Sequence, residues 1–179
     1  MNPSEQLWWA CQSSSSLEVK QLLEAHHLTP TSQPEEPRGG LDLNWRNEGY
    51  YRWTALHQAC SQGSHDIVSQ LLQIPEEIYH LDVNPKSFNL ADPSSHGITP
   101  LHCAVLAGHV WVTALLLEDP RVTPMGLNGA GESPLWTAAY AGKTEVIKVR
   151  FHSEIYMWTL TRGRISIIHS PVVSNSWRG

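Results

Sequence analysis

The chain has 179 residues, enough for one domain of ordinary size, and 41% of them are apolar, enough to form a core. Its formal charge of −5 disfavours generic nucleic-acid binding through phosphates. The charge is uneven: residues 1–149 hold 8 Lys+Arg against 16 Asp+Glu, while residues 150–179 hold four Arg against one Glu, so the sign reverses at residue 150.

From the N-terminus, MNPSEQLWWACQSSSS has neither a basic n-region nor an apolar h-region, so no signal peptide is expected. The segment LWWACQSSSSLEVKQLL (7–23) opens a pattern that recurs. TALHQACSQGSHDIVSQLL (54–72), TPLHCAVLAGHVWVTALLL (99–117) and SPLWTAAYAGKTEVIKV (133–149) fall into its register. Leu7, Leu56, Leu101 and Leu135 coincide, as do Ala10, Ala59, Ala104 and Ala138. Gly63, Gly108 and Gly142 follow four residues after the alanine, with Ser14 at that place in the first unit.

Each unit reads as two short helices. Thr54, Thr99 and Ser133 are N-cap candidates, because a side-chain oxygen can satisfy a free N–H of the first turn. Pro100 and Pro134 then occupy the first helical position, where a missing N–H costs nothing. The Leu and the Ala put a large and a small apolar group on one face, and the glycine marks the stop of the first helix. Apolar residues at glycine +4, +5, +8 and +9 predict the second helix. The longest mainly apolar run, AVLAGHVWVTALLL, is broken by Gly108, His109 and Thr113. It is too short to span a bilayer, so no membrane segment is expected.

Between units lie insertions and turns. HHLTPTSQPEEPRGG (26–40) is rich in Pro, Gly and acid and reads as a mobile loop. A second insertion lies within residues 74–95. LDLNWRNEGYYRW (41–53), FNLADPSSHG (88–97) and MGLNGAGE (125–132) are the inter-unit segments.

These residues carry a resemblance. TALHQACSQG, GITPLHCAVLAGH and GESPLWTAAYAG closely resemble the ankyrin repeat, whose signature is Thr-Pro-Leu-His-x-Ala followed by Gly-His. The resemblance covers residues 4–149, with units near 4–43, 51–92, 97–128 and 131–149 and insertions near 26–40 and 74–95. It implies an all-α solenoid of helix-turn-helix units with β-turn fingers, in which each unit buries its apolar face only against its neighbours. Trp136 replaces the motif histidine and weakens the last unit. Residues 150–179 have no repeat register and are β-prone around 155–160 and 165–169. Two readings of them stand: an alternative or truncated end, which is favoured, and a divergent cap.

The residues that invite a chemical mechanism have structural readings. His57 and His102 share the motif position, where the imidazole is expected to bond its own turn and the neighbouring finger. The spacing of His102, Cys103 and His109 matches no zinc pattern. Cys11, Cys60 and Cys103 form no CxxC pair. They suit reduced core thiols of an intracellular protein, expected in the cytoplasm with the nucleus left open. No GxSxG, HExxH, GxxxxGKS or GxGxxG occurs. No catalytic residue, metal or cofactor is therefore expected, and a small-molecule ligand is disfavoured.

The resemblance implies a non-catalytic module or adaptor that binds a partner protein through its concave face and fingers. The acidic body suggests a partner with basic patches. The alternative is a regulatory or targeting portion of a larger ankyrin-containing enzyme or signalling protein. Candidate contact residues are Trp45, Arg46, Tyr50, Tyr51 and Arg52 in the first finger, since Trp, Tyr and Arg dominate interface hot spots. Gln58, Ser61, Gln62 and Tyr140 on the first helices are expected to line the groove. For the finger aromatics, Trp53 included, packing and binding weigh equally. Trp111, at glycine +3, is expected on the exposed convex side.

Overall fold

The computed structural model describes residues 2–26, 40–89 and 96–148. The expectations for the loop at 27–39 and for the tail after Lys148 fall outside the described residues. Among the described residues there are eight helices: α1 (Pro3–Gln12), α2 (Ser16–Ala25), α3 (Ala55–Gln62), α4 (His65–Leu72), α5 (Pro100–Ala107), α6 (Val110–Glu118), α7 (Pro134–Tyr140) and α8 (Thr144–Lys148). None of them is long and apolar enough to cross a membrane. Cys11, Cys60 and Cys103 are buried free thiols, and burial pushes each of them well above the ordinary cysteine range.

Helix starts follow from side-chain caps. Asn2 accepts from the Ser4 N–H at 3.0 Å and begins α1. Thr54 and Thr99 accept from the N–H of His57 and His102, and in return each imidazole Nδ1 accepts from the threonine N–H. Two free donors of the first turn are satisfied in each pair. Ser133 caps α7 through the Trp136 N–H at 3.2 Å. Trp136, lacking an acceptor nitrogen, cannot complete the reciprocal bond.

The helices stack in two rows. The first helices pack in the order α1, α3, α5, α7, and the second helices in the order α2, α4, α6, α8. Leu7, Leu56 and Leu101 are buried between them with Ala10, Ala59, Ala104 and Ala138. Ile67, Val68 and Leu71 of α4, and Val112 and Leu116 of α6, close the other side of the core. Each such buried aliphatic side chain contributes about 1.5–3 kcal/mol relative to exposure. Leu135, in the same register on α7, is only half-buried, because no further unit stands against it among the described residues.

Fingers join the units. In the first, the Asn47 N–H donates to the Trp53 carbonyl at 3.0 Å. In the second, the Ser87 N–H donates to Ile98 at 2.9 Å, and in the third the Asn128 N–H donates to Glu132 at 3.0 Å. Successive fingers bond to each other: the Phe88 N–H donates to the Tyr51 carbonyl at 2.8 Å and the Gly129 N–H to the His96 carbonyl at 2.6 Å.

A further repeat stands at the finger bases. LDLN (41–44) recurs as LDVN (81–84). Asn44 donates to the His80 carbonyl at 3.0 Å and accepts from the Asp82 N–H at 2.9 Å. Asn84 does the same one unit on, with the Arg121 carbonyl and the Thr123 N–H, both at 2.7 Å. The described part of the second insertion is thereby tied to the stack, and its Leu81 and Val83 are buried.

Candidate protein-interaction surface

The first helices carry two kinds of inter-unit position. The residue after the motif leucine faces forward. His57 Nε2 donates to the Ile98 carbonyl at 2.9 Å, and His102 Nε2 donates to the Glu132 carbonyl at 3.2 Å. Because a backbone N–H can only donate, Nδ1 must be the bare nitrogen and Nε2 must carry the proton. Burial holds His57 down to about 4, and burial also lowers His102. Both rings are therefore neutral structural links between units.

The next residue faces backward, and this corrects one expectation. Gln58 does not line the groove. It is 1% exposed, and its Nε2 donates to Gln12 Oε1 of the preceding unit. Its amide serves a partly buried contact with the preceding unit rather than solvent. Gln62 is exposed and Ser61 is half-buried, and the Ser61 carbonyl accepts from His109 Nε2 at 3.0 Å. Tyr140 is 80% exposed and stacks on Trp136, with centroids 5.1 Å apart and planes 8° from parallel.

The first finger is built differently from the other two. The Trp53 N–H donates to the Tyr50 carbonyl at 2.9 Å, closing a four-residue turn. Its central residues, Tyr51 and Arg52, both have φ of 53°. Two left-handed residues in succession define a type I′ turn, which ordinarily selects Asn-Gly. The residue at the place of Arg52 in the later fingers is Gly97 or Gly131.

This turn holds a set of rings. Tyr50 meets Trp8 at 5.3 Å, Tyr51 at 5.3 Å and Trp53 at 5.4 Å, all edge-on. Trp8 meets Trp9 at 5.1 Å, and Trp53 stacks on His57 at 5.8 Å. Trp8 is buried and Trp53 half-buried, while Trp9, Tyr50 and Tyr51 are 48%, 40% and 47% exposed. Packing and display are thus divided within one cluster: Trp8 and Trp53 pack, and the other three face solvent.

An open polar groove of about 540 Å³ is lined by Trp45, Arg46 and Arg52 together with the carboxylates of Glu5, Asp42 and Glu48. Arg46 Nη1 donates to the Lys86 carbonyl at 2.6 Å, and Arg52 Nε pairs with Glu48 at 3.1 Å. Trp8 and Trp9 are not among the contact residues expected from the sequence. The sequence signal for Trp8 is the register itself, because Trp8 stands where the middle units have His57 and His102. Its indole Nε1 finds no acceptor among the described residues.

A family model for ankyrin repeats, in three copies, matches residues 7–125. The chain belongs to the ankyrin-repeat family. The chain is also 34% identical over 97 residues to SMC5-SMC6 complex localization factor protein 1 of Bos taurus and of Homo sapiens. That match covers 54% of this chain and 8% of each relative's length.

Two further exposed tryptophans of the ankyrin stack lie outside its fingers, Trp136 on α7 at 48% and Trp111. Trp111 on α6 is 77% exposed, on the opposite side from the first helices. The five finger residues Trp45, Arg46, Tyr50, Tyr51 and Arg52 gather at one end of the ankyrin stack, whereas Tyr140 stands on the last first-helix. The described residues contain no group of three His, Cys, Asp or Glu side chains placed to hold a metal.

Proposed function

We propose that this ankyrin-repeat chain is a non-catalytic adaptor that docks a partner protein on its first finger and the adjoining concave face. The observation that carries this reading is the exposed trio Trp9, Tyr50 and Tyr51, the two tyrosines presented by a turn that two non-glycine residues make at positive φ. Backbone conformations of that kind cost free energy and gather where function requires them. Large aromatic residues presented in this way are typical anchors of protein interfaces. Affinity capture with the whole chain tests the reading against two variants, Y50A/Y51A and Trp111→Ala. Proteins lost from the first variant and kept by the second support it. Identical captured sets for all three chains remove the first finger from the interface.

A second reading has its own support. The match to the relatives spans only 8% of their length, and their printed name is that of a localization factor. The chain then serves as the targeting segment of a larger protein, still acting by protein docking. Fusing the chain to a fluorescent protein checks this: accumulation at discrete cellular sites that disappears with Y50A/Y51A supports it, and an unchanged diffuse distribution opposes it.

A further inference from the structure

The rings on the first finger point to a particular partner chemistry, an inference that rests on the docking reading above. We propose that Trp9, Tyr50 and Tyr51 seat the cationic side chain of an arginine or lysine carried on an extended basic segment of the partner protein.

Four observations converge. The exposed rings meet Trp8 and each other edge-on, with interplanar angles of 84°, 63° and 71°, so the cluster forms walls rather than one flat plane. A cation over an aromatic face is attracted by the ring quadrupole. The two neighbouring protein cations are already engaged, Arg52 by Glu48 and Arg46 by the Lys86 carbonyl, and neither occupies the seat. Glu5 lies one helical turn before Trp9 on the same face of α1 and also borders the polar groove. Among the described residues its carboxylate has neither a cation nor a hydrogen-bond donor. A carboxylate beside exposed rings completes a cation seat by charge. Finally, residues 1–149 carry 16 acidic against 8 basic side chains, so a basic segment is drawn toward the stack and an acidic one is repelled.

The turn gives the seat its geometry. Tyr51 and Arg52 hold φ of 53°, and the Tyr51 carbonyl is fixed by the Phe88 N–H of the next finger. Tyr50 and Tyr51 are thus presented from a backbone anchored on both sides, which lowers the ordering cost of binding.

The test uses the whole chain and synthetic 12-residue peptides in three matched sets. One set carries Arg and Lys, one carries citrulline and acetyl-lysine at the same places, and one carries Glu. Fluorescence polarization at about 150 mM salt suppresses long-range attraction between exposed charges. The basic peptides are expected to bind at least fivefold more tightly than their neutral counterparts. Y50A/Y51A and, separately, Glu5→Gln are expected to weaken them at least threefold, with Trp111→Ala unchanged. Glu5→Gln alters one surface group, so a folding failure of the ring variant leaves the test intact. Equal binding of the neutral set, preference for the acidic set, or no binding of the basic set up to about 1 mM overturns the cation seat. Ring-dependent binding of neutral or acidic peptides does so while leaving the docking surface standing. Binding of every set that ignores the ring variant removes the surface as well.

Discussion

His109 stands on Gly63. A Cβ at residue 63 would lie 2.5 Å from His109 Nδ1 and 2.6 Å from Cε1. The same contact recurs along the stack: Ser64 Oγ bonds Ser14 Oγ at 2.7 Å, and the Lys143 stem covers Gly108. The residue following each turn therefore sits on the turn of the unit before it. In the Gly-His pair of the motif, the glycine of one unit makes room for the histidine of the next.

Gly63→Ala tests this directly. The left-handed conformation at φ of 73° costs an L-residue about 1–2 kcal/mol, and the ring clash adds to that. A total loss of about 2–3 kcal/mol in urea unfolding is expected. His109→Ala in the same chain should recover only the clash. A double-mutant cycle with a coupling under about 0.5 kcal/mol means that the two residues do not act on each other.

His57 makes the stack sensitive to acid. Burial holds it neutral with a folded value of about 4, against an ordinary 6.5. Its stabilising contribution is complete above about pH 6.5 and is lost as pH falls toward 4, because the unfolded chain then binds a proton that the folded chain does not. The loss over that window is about 3 kcal/mol from this residue, and His102 shifts in the same direction. Urea midpoints measured at pH 7.5 and pH 5 should fall for the native chain and change less for His57→Gln. Parallel slopes for the two chains contradict this.

The helix boundaries were legible in the sequence because caps and stops are local chemistry. Thr54, Thr99, Ser133 and the glycines act through neighbours three or four residues away, so spacing alone reveals them. The face of each first-helix residue was less legible. Gln58 and Gln62 look alike as sequence, yet the first is buried against Gln12 and the second is exposed, since the direction to the preceding unit depends on stacking. The positive φ at Tyr51 and Arg52 carries no compositional mark, because neither residue favours it. The finger aromatics were evident as a group, but their partner Trp8 comes from a segment some forty residues earlier, which only the folded chain brings to Tyr50.

Arg52 and Gly97 occupy equivalent left-handed positions and should respond oppositely. Arg52→Gly relieves a strained residue at the expense of one exposed ion pair, which is worth about 0–1 kcal/mol. Its stability should stay level or rise by up to about 1 kcal/mol. Gly97→Ala places a Cβ 3.0 Å from the Gly129 nitrogen at φ of 71°, and a loss of about 2 kcal/mol is expected. Thermal melts of both variants check this, and a clear fall for Arg52→Gly argues that the turn is not strained.

Burial along the stack predicts a gradient. Leu101 is fully enclosed, whereas Leu135 is half-exposed. Leu101→Ala should cost about 3–4 kcal/mol and Leu135→Ala about 1–2 kcal/mol. Hydrogen exchange should be fastest in α7 and α8 among the helices of the second, third and fourth units. Equal protection of α5 and α7 removes the gradient.

The most direct measurement is a footprint of the whole chain bound to the protein that it captures most strongly. Hydroxyl-radical labelling reports side-chain exposure residue by residue. Trp9, Tyr50 and Tyr51 should lose reactivity on binding while Trp111 keeps its own. Protection confined to Trp111, or unchanged reactivity at all three ring positions, would show that the partner docks elsewhere and that the first finger is not the binding surface.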